Sequence, residues 1–352
     1  MPKQAHSEVK KINLALQGGG SHGAYTWGVL DRLLEEERLE IEGISGTSAG
    51  AMNGTILVNG YVKDGRRGAK KALRDFWYEV SEMAQYSPIQ HAPFQGFLKI
   101  WNMDWSPGFA FFDILTRLFS PYVMNPLNIN PLMELLEKHV DFDAIKTCEK
   151  IKLFVSATSV TTGQPKIFGS KEITAKSVMA SASLPSIFQA MEIGDDYYWD
   201  GGYMGNPSIW PLTYHCESQD ILIVEINPII RKGKPTDGKD IINRMNEISF
   251  NSSLIAEMRA INFVSRLIRD NKLSADRDYK DLYIHVVGCP KEMSKMNASS
   301  KMNASWEFLS HLFELGRTAA DEWITENFDK VGIDSSIDIE EVFLAHVKKP
   351  MS

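Results

Sequence analysis

The sequence predicts an α/β fold on a mostly parallel sheet, and three observations carry that prediction. Two glycine-rich turns each stand between a short apolar run and a helical pattern. Further apolar runs at 151–157 and 220–227 have little polar alternation, as in strands covered on both faces. Helical patterns separate and follow these runs, giving the strand–helix–strand order of a parallel sheet.

Taken in order, Ile12–Leu16 reads as the first strand, stopped by Gln17 and the cluster Gly18-Gly19-Gly20-Ser21-His22-Gly23. Trp27, Leu30 and Leu34 then share one helical face. Ile41–Ser45 is the second strand, and Gly46-Thr47-Ser48-Ala49-Gly50 turns into a helix over Ala51–Leu57. A separate helix is expected over 68–84. The stretch 94–122 holds nine aromatic residues in 29 positions, where average usage gives about three. It reads as core or as a lid, and Pro107, Gly108 and Pro121 exclude a single straight helix. Helices at 131–139 and 174–182 flank the strand at 151–157. Tyr197–Asp200 is strand-like and runs into Gly201-Gly202. After the strand at 220–227, residues 239–272 form a long helix, Leu282–Val287 a last strand, and Trp306–Phe328 a last helix. The hexapeptide SKMNAS occurs twice in succession, at 294–299 and 300–305. Two copies are too few for a solenoid and read as an enlarged polar loop.

Composition narrows the function classes. The 352 residues are 43% hydrophobic and 24% charged, a globular balance. A net charge of −7 argues against nucleic acid as a partner. Cys148, Cys216 and Cys289 are too few and too scattered for a disulfide framework or a zinc ribbon, and suit a reducing compartment. Neither a Sec-type signal nor a transmembrane stretch is expected, which points to a cytoplasmic protein. No metal or organic cofactor is expected. There is no HExxH and no Walker A pattern, and the acidic run Asp276–Asp281 lacks the glycine and terminal glutamate of a calcium loop.

The glycine turns carry the chemistry. Gly18-x-Gly20-x-x-Gly23 has dinucleotide-fingerprint spacing, but the end of the second strand offers Ser45-Gly46-Thr47-Ser48 where a ribose-binding acid belongs. What stands there is G-x-S-x-G between strand and helix, the setting of a nucleophile elbow centred on Ser48. Gly46 and Gly50 permit close backbone approach, the helix N-terminus favours negative charge at Ser48, and the Ala49 N–H is placed to hold an oxyanion. The first glycine loop, at the same carboxyl edge, adds bare amides for that oxyanion. A base is still needed. Asp200 followed by His285 or His311 would complete a conventional triad, His22 lies in the glycine loop itself, and Asp200, entering Gly201-Gly202, is the remaining candidate.

In order and spacing, Gly18–Gly23, Gly46–Gly50 and Asp200-Gly201-Gly202 resemble the three motifs of the patatin-like phospholipase family over residues 12–215, with Ala180–Pro185 and Asn206-Pro207 in support. The resemblance implies a three-layer α/β/α sandwich and a lipid acyl hydrolase with Ser48 as nucleophile and Asp200 as base. It also implies an oxyanion hole from Gly18, Gly19 and Gly20, joined by Ala49, with Gly23, Gly46, Gly50, Gly201 and Gly202 shaping the turns. One position departs, since many members carry Arg or Lys where this chain has His22. The expected domain is 12–215, extended by 216–352 on the same core. Expected partners are a phospholipid or other acyl lipid and, transiently, the surface of membranes or lipid bodies. A non-catalytic binding protein on the same fold is the alternative from another class.

Overall fold

The computed structural model describes residues 9–87, 101–104, 106–231, 233–275 and 279–344. The strands are β1 (Lys10–Leu16), β2 (Leu39–Thr47), β3 (Lys152–Ser159), β4 (Pro165–Gly169), β5 (Met191–Ile193), β6 (Asp196–Asp200), β7 (Asp220–Glu225) and β8 (Tyr283–Gly288). They form one sheet in the order β5-β6-β3-β2-β1-β7-β8, with β4 also paired to β3. β3, β2, β1, β7 and β8 run parallel, while β4, β5 and β6 join antiparallel on the β3 side.

Alternation along the central strands sends side chains into two separate cores, which makes the fold three-layered. Leu14, Leu16, Ile44, Leu153, Val155, Leu222 and Val224 face one core, shared with α1 (Gly23–Leu33), α2 (Ala49–Gln85) and the helix Trp306–Asn327. Ala15, Phe154, Ile221, Ile223 and Ile284 face the other, covered by the helices Trp210–His215, Gly238–Arg269 and Ile339–Phe343. β7 and β8 thus extend the sheet begun by β1 and β2. The helix Trp306–Asn327 lies tightly on α1 because Gly28 and Gly316 leave no side chain between them. A Cβ on Gly316 would come within 2.1 Å of the Tyr25 carbonyl oxygen.

Some elements differ from the sequence expectation. The helices expected over 51–57 and 68–84 are two arms of α2, broken at Asp64 and Gly65, where Gly65 takes φ 54°. β4 and β5 carry no usable periodicity, at five and three residues. Of the aromatic stretch, Phe94, Phe97 and Trp105 lie outside the described residues. The helix Pro107–Leu118 has no buried residue, so it is not core.

Candidate active site

β1 and β2 are neighbours in parallel register, Leu16 opposite Gly46, so the turns that follow them open at one carboxyl edge. β6 brings Asp200 to the same edge by antiparallel pairing with β3, Asp200 opposite Ala157, while Ser156 lies opposite Thr47. Three segments distant in sequence meet there because strand register leaves them no other place.

Ser48 sits at the tip of the second turn with φ 54° and ψ −120°, a conformation that L-residues rarely adopt. The surrounding packing sustains it. A Cβ on Gly50 would lie 2.2 Å from the Leu16 carbonyl oxygen, and one on Gly46 would strike the Gly50 backbone at 2.6 Å. The Ser48 N–H donates to Ser181 Oγ (2.8 Å), Thr47 Oγ1 to the Gly205 carbonyl (2.6 Å) and Ser45 Oγ to the Ser208 carbonyl (2.6 Å). The Asp200 N–H donates to the Ser183 carbonyl at 2.9 Å. The stretches 181–183 and 205–208 therefore hold the Ser48 turn and Asp200 in one frame.

Ser48 is partly exposed, whereas Asp200 is 3% exposed. The Gly202 N–H donates to Asp200 Oδ1 at 2.7 Å, and the Ser48 hydroxyl is close enough to favour the ionised form of Asp200. Burial raises the Asp200 pKa from 3.8 to about 6, against the opposing pull of the Gly202 N–H, the Ser48 hydroxyl and the positive charge of Lys301. Both residues line a cavity of about 90 Å³ with Gly18, Gly19, Gly20, Leu184, Gly202, Asn206, Phe250, Lys301 and Met302.

The glycine loop is at this cavity, with one change of role. The Gly18 N–H, expected to face an oxyanion, donates to Asn206 Oδ1 at 2.6 Å. Asn206 is close enough that a Cβ on Gly18 would lie 3.3 Å from the same oxygen. Gly19 and Gly20 line the cavity beside Ser48 and Asp200. Gly20 needs its freedom, with φ 57° and the Lys301 carbonyl oxygen 2.5 Å from where a Cβ would be. The Ala49 N–H lies in the first turn of α2, where no helical carbonyl can reach it. Gly23 and Gly201 act as spacers, since a Cβ would meet Ala49 Cβ at 2.7 Å and the Ser156 carbonyl oxygen at 2.1 Å, respectively.

Among the described residues, no histidine lines the cavity. His22 is buried behind the loop, with Nε2 2.8 Å from Ser300 Oγ, and burial and Lys301 lower its pKa to about 3. It is neither a solvent-facing loop side chain nor a charged one. His285 is fully buried on β8 and bonded to Asp220 at 3.0 Å. His311 stacks on Trp101. Among the described residues, no group of three His, Cys, Asp or Glu side chains could hold a metal ion. No described helix is long and apolar enough to cross a membrane.

Sequence reasoning missed Asn206 as a ligand of the loop, and it missed Phe250, Lys301 and Met302 altogether. The duplicated hexapeptide was the only signal for the last two.

The family model of patatin-like phospholipases matches residues 14–213. No curated protein matches the chain. Among solved structures, the chain is similar to VipD from Legionella pneumophila at 13% identity, covering 96% of this chain and 73% of that one, with a TM-score of 0.43.

Proposed function

The chain belongs to the patatin-like phospholipase family, and on that premise we propose that it hydrolyses carboxylic esters of lipids with Ser48 as nucleophile and Asp200 as its base. Membership itself implies lipid acyl hydrolysis. The observation that carries the residue roles is that Ser48 and the buried Asp200 line one cavity whose described lining holds no histidine. Asp200 is a stronger base than an ordinary carboxylate because burial raises its pKa to about 6.

Ser48 Oγ attacks the acyl carbonyl carbon while its proton passes to Asp200. The carbonyl π pair moves to oxygen, where the Gly19, Gly20 and Ala49 amides stabilise it. Collapse expels the alcohol, which takes the proton back from Asp200 and leaves an acyl-Ser48 ester. Water then attacks that ester, giving its proton to Asp200. Release of the fatty acid returns the proton to Ser48 Oγ.

We assign the catalytic unit to residues 12–215, with 216–352 on the same core contributing Phe250, Lys301 and Met302 to the cavity. Contact with a lipid surface fits the exposed side chains Phe111, Ile114, Leu118, Phe119, Tyr122, Val123, Leu127 and Ile129. The segment they occupy is tied to the cavity rim. The Ala190 N–H donates to the Tyr122 hydroxyl (3.3 Å) and Gln189 Nε2 to the Asn125 carbonyl (2.8 Å), a few residues beyond Leu184. An exposed apolar patch of this kind suits a bilayer or lipid droplet as the source of substrate.

The test is hydrolysis of a lipid panel with products identified by mass, alongside labelling by a fluorophosphonate. Labelling and hydrolysis are expected in the native chain and are lost in Ser48→Ala. Hydrolysis that persists in Ser48→Ala overturns the assignment.

A further inference from the structure

Two identical hexapeptides end in different places, and the difference concerns one lysine. In the first copy Lys295 is 62% exposed at its side chain and pairs with Glu292 at 2.7 Å. In the second copy Lys301, at the equivalent position, lines the cavity with Ser48 and Asp200. Its Nζ donates to Asn227 Oδ1 (2.7 Å), and Asn227 Nδ2 donates in turn to the Gly18 carbonyl (2.7 Å). Its backbone carbonyl packs against Gly20. Just before it, Ser300 Oγ meets His22 Nε2 and the Asn297 carbonyl. The second copy is thus pinned to the glycine loop, and one of the three ammonium donors is spent on aiming Nζ.

We propose that Lys301 is a positioning residue, the counter-cation that holds Asp200 ionised and keeps the cavity neutral as negative charge passes from Asp200 to the former carbonyl oxygen of the substrate. This rests on the Ser48–Asp200 reading given above. Before attack the cavity holds one carboxylate and one ammonium. After Oγ bonds to the carbonyl carbon, Asp200 carries the proton and is neutral, and the oxyanion sits beside the same ammonium. Lys301 neither gains nor loses a proton, so no charge has to be reorganised within a site of low dielectric.

The groups around it suit this role. Lys301 faces Asp200 at the end of β6, Glu247 on the helix Gly238–Arg269 and Arg231 after β7. It also faces His22 on the glycine loop, which is uncharged at neutral pH. Asp200 additionally faces Tyr203. Burial lowers the ammonium to about 8, so it is charged at neutral pH and loses its proton in mild alkali.

The experiment compares the full-length chain with Lys301→Met, Lys301→Arg and Lys295→Met. It measures kcat and KM on a soluble acyl ester between pH 5 and 9, melting temperature, and the Asp200 titration by carboxyl carbon NMR. Lys301→Met is expected to lower kcat roughly 10- to 100-fold with little change in KM. It should also raise the Asp200 midpoint and the acid limb of kcat/KM together, and abolish the decline above pH 8. Lys301→Arg restores most of kcat, and Lys295→Met behaves as the native chain. Native kcat together with a native Asp200 midpoint in Lys301→Met overturns the proposal. So do Met and Arg variants that are equally slow and equally destabilised. A native chain that neither hydrolyses esters nor takes the fluorophosphonate overturns the parent reading, while the NMR midpoint still reports whether Lys301 governs the charge of Asp200.

Discussion

Asp200 and Asp220 are both buried, each touches a side chain associated with hydrolysis, and they lie at opposite edges of one sheet. Asp200 ends β6 at the carboxyl edge, lining one cavity with Ser48. Asp220 starts β7, where Ile221 pairs with Asn13, and its Oδ1 is within 3.0 Å of His285 Nε2 and accepts the Gly332 N–H at 2.8 Å. Counting register from Asn13 to the turn after Leu16, Asp220 lies roughly 20 Å along the strand direction from Ser48. The Asp–His pair that resembles half of a triad therefore braces the fold, and Asp200, with no histidine beside it among the described residues, faces Ser48. The position of a pair on the sheet, rather than its chemical type, decides whether it meets a substrate.

The largest effects should separate the two aspartates. Asp200→Asn is expected to lower kcat by about 10³-fold or more, because the amide cannot accept the Ser48 proton. The same change should stabilise the fold at pH 7. The buried carboxyl holds its proton more tightly in the folded chain than in the unfolded one. The stability it contributes is therefore present below about pH 4 and lost as pH rises through about 6, a difference of ~3 kcal/mol for the shift from 3.8 to about 6. Urea denaturation of both proteins between pH 4 and 8 checks this. A native chain without that decline, or a variant that keeps it, would break the contrast.

His285→Ala should do the reverse, destabilising the chain by about 1–3 kcal/mol by removing a buried hydrogen-bond partner of Asp220, while kcat stays near native. Loss of ester hydrolysis in a folded His285→Ala would move the case to a conventional triad. A smaller effect tests the frame around Asp200. Asn206→Ala frees the Gly18 amide and loosens the loop, and should lower kcat roughly 10-fold with little change in KM. The acid limb of the native kcat/KM profile should fall near pH 6, the value to which burial raises Asp200, and a limb near 4 would mean that burial does not govern its basicity.

Much of this site is legible along the chain. The glycine turns declare themselves because their backbone geometry tolerates almost no other residue: Gly50 lies against the Leu16 carbonyl, and Gly20 has a left-handed φ. The central strands are legible because both their faces are covered and their apolar runs are nearly continuous. Asp200 is less so, since an Asp-Gly pair by itself is a common turn signal and gained meaning only beside the two earlier motifs. The two arms of α2 were expected as separate helices, but their close packing at Gly60 and Gly68 is a contact that local periodicity does not register.

The central parallel strands, the long helices beside them and the identity of the two glycine turns follow from the sequence alone, because they depend on backbone sterics and on the spacing of apolar residues within a few turns of chain. Which lysine of two identical hexapeptides reaches the cavity, which amide of the glycine loop is taken by Asn206, and which aspartate meets Ser48 were decided only in three dimensions. Each depends on a partner 70 or more residues away in the chain, brought within hydrogen-bonding or packing distance by strand register and by the fit of one helix on another.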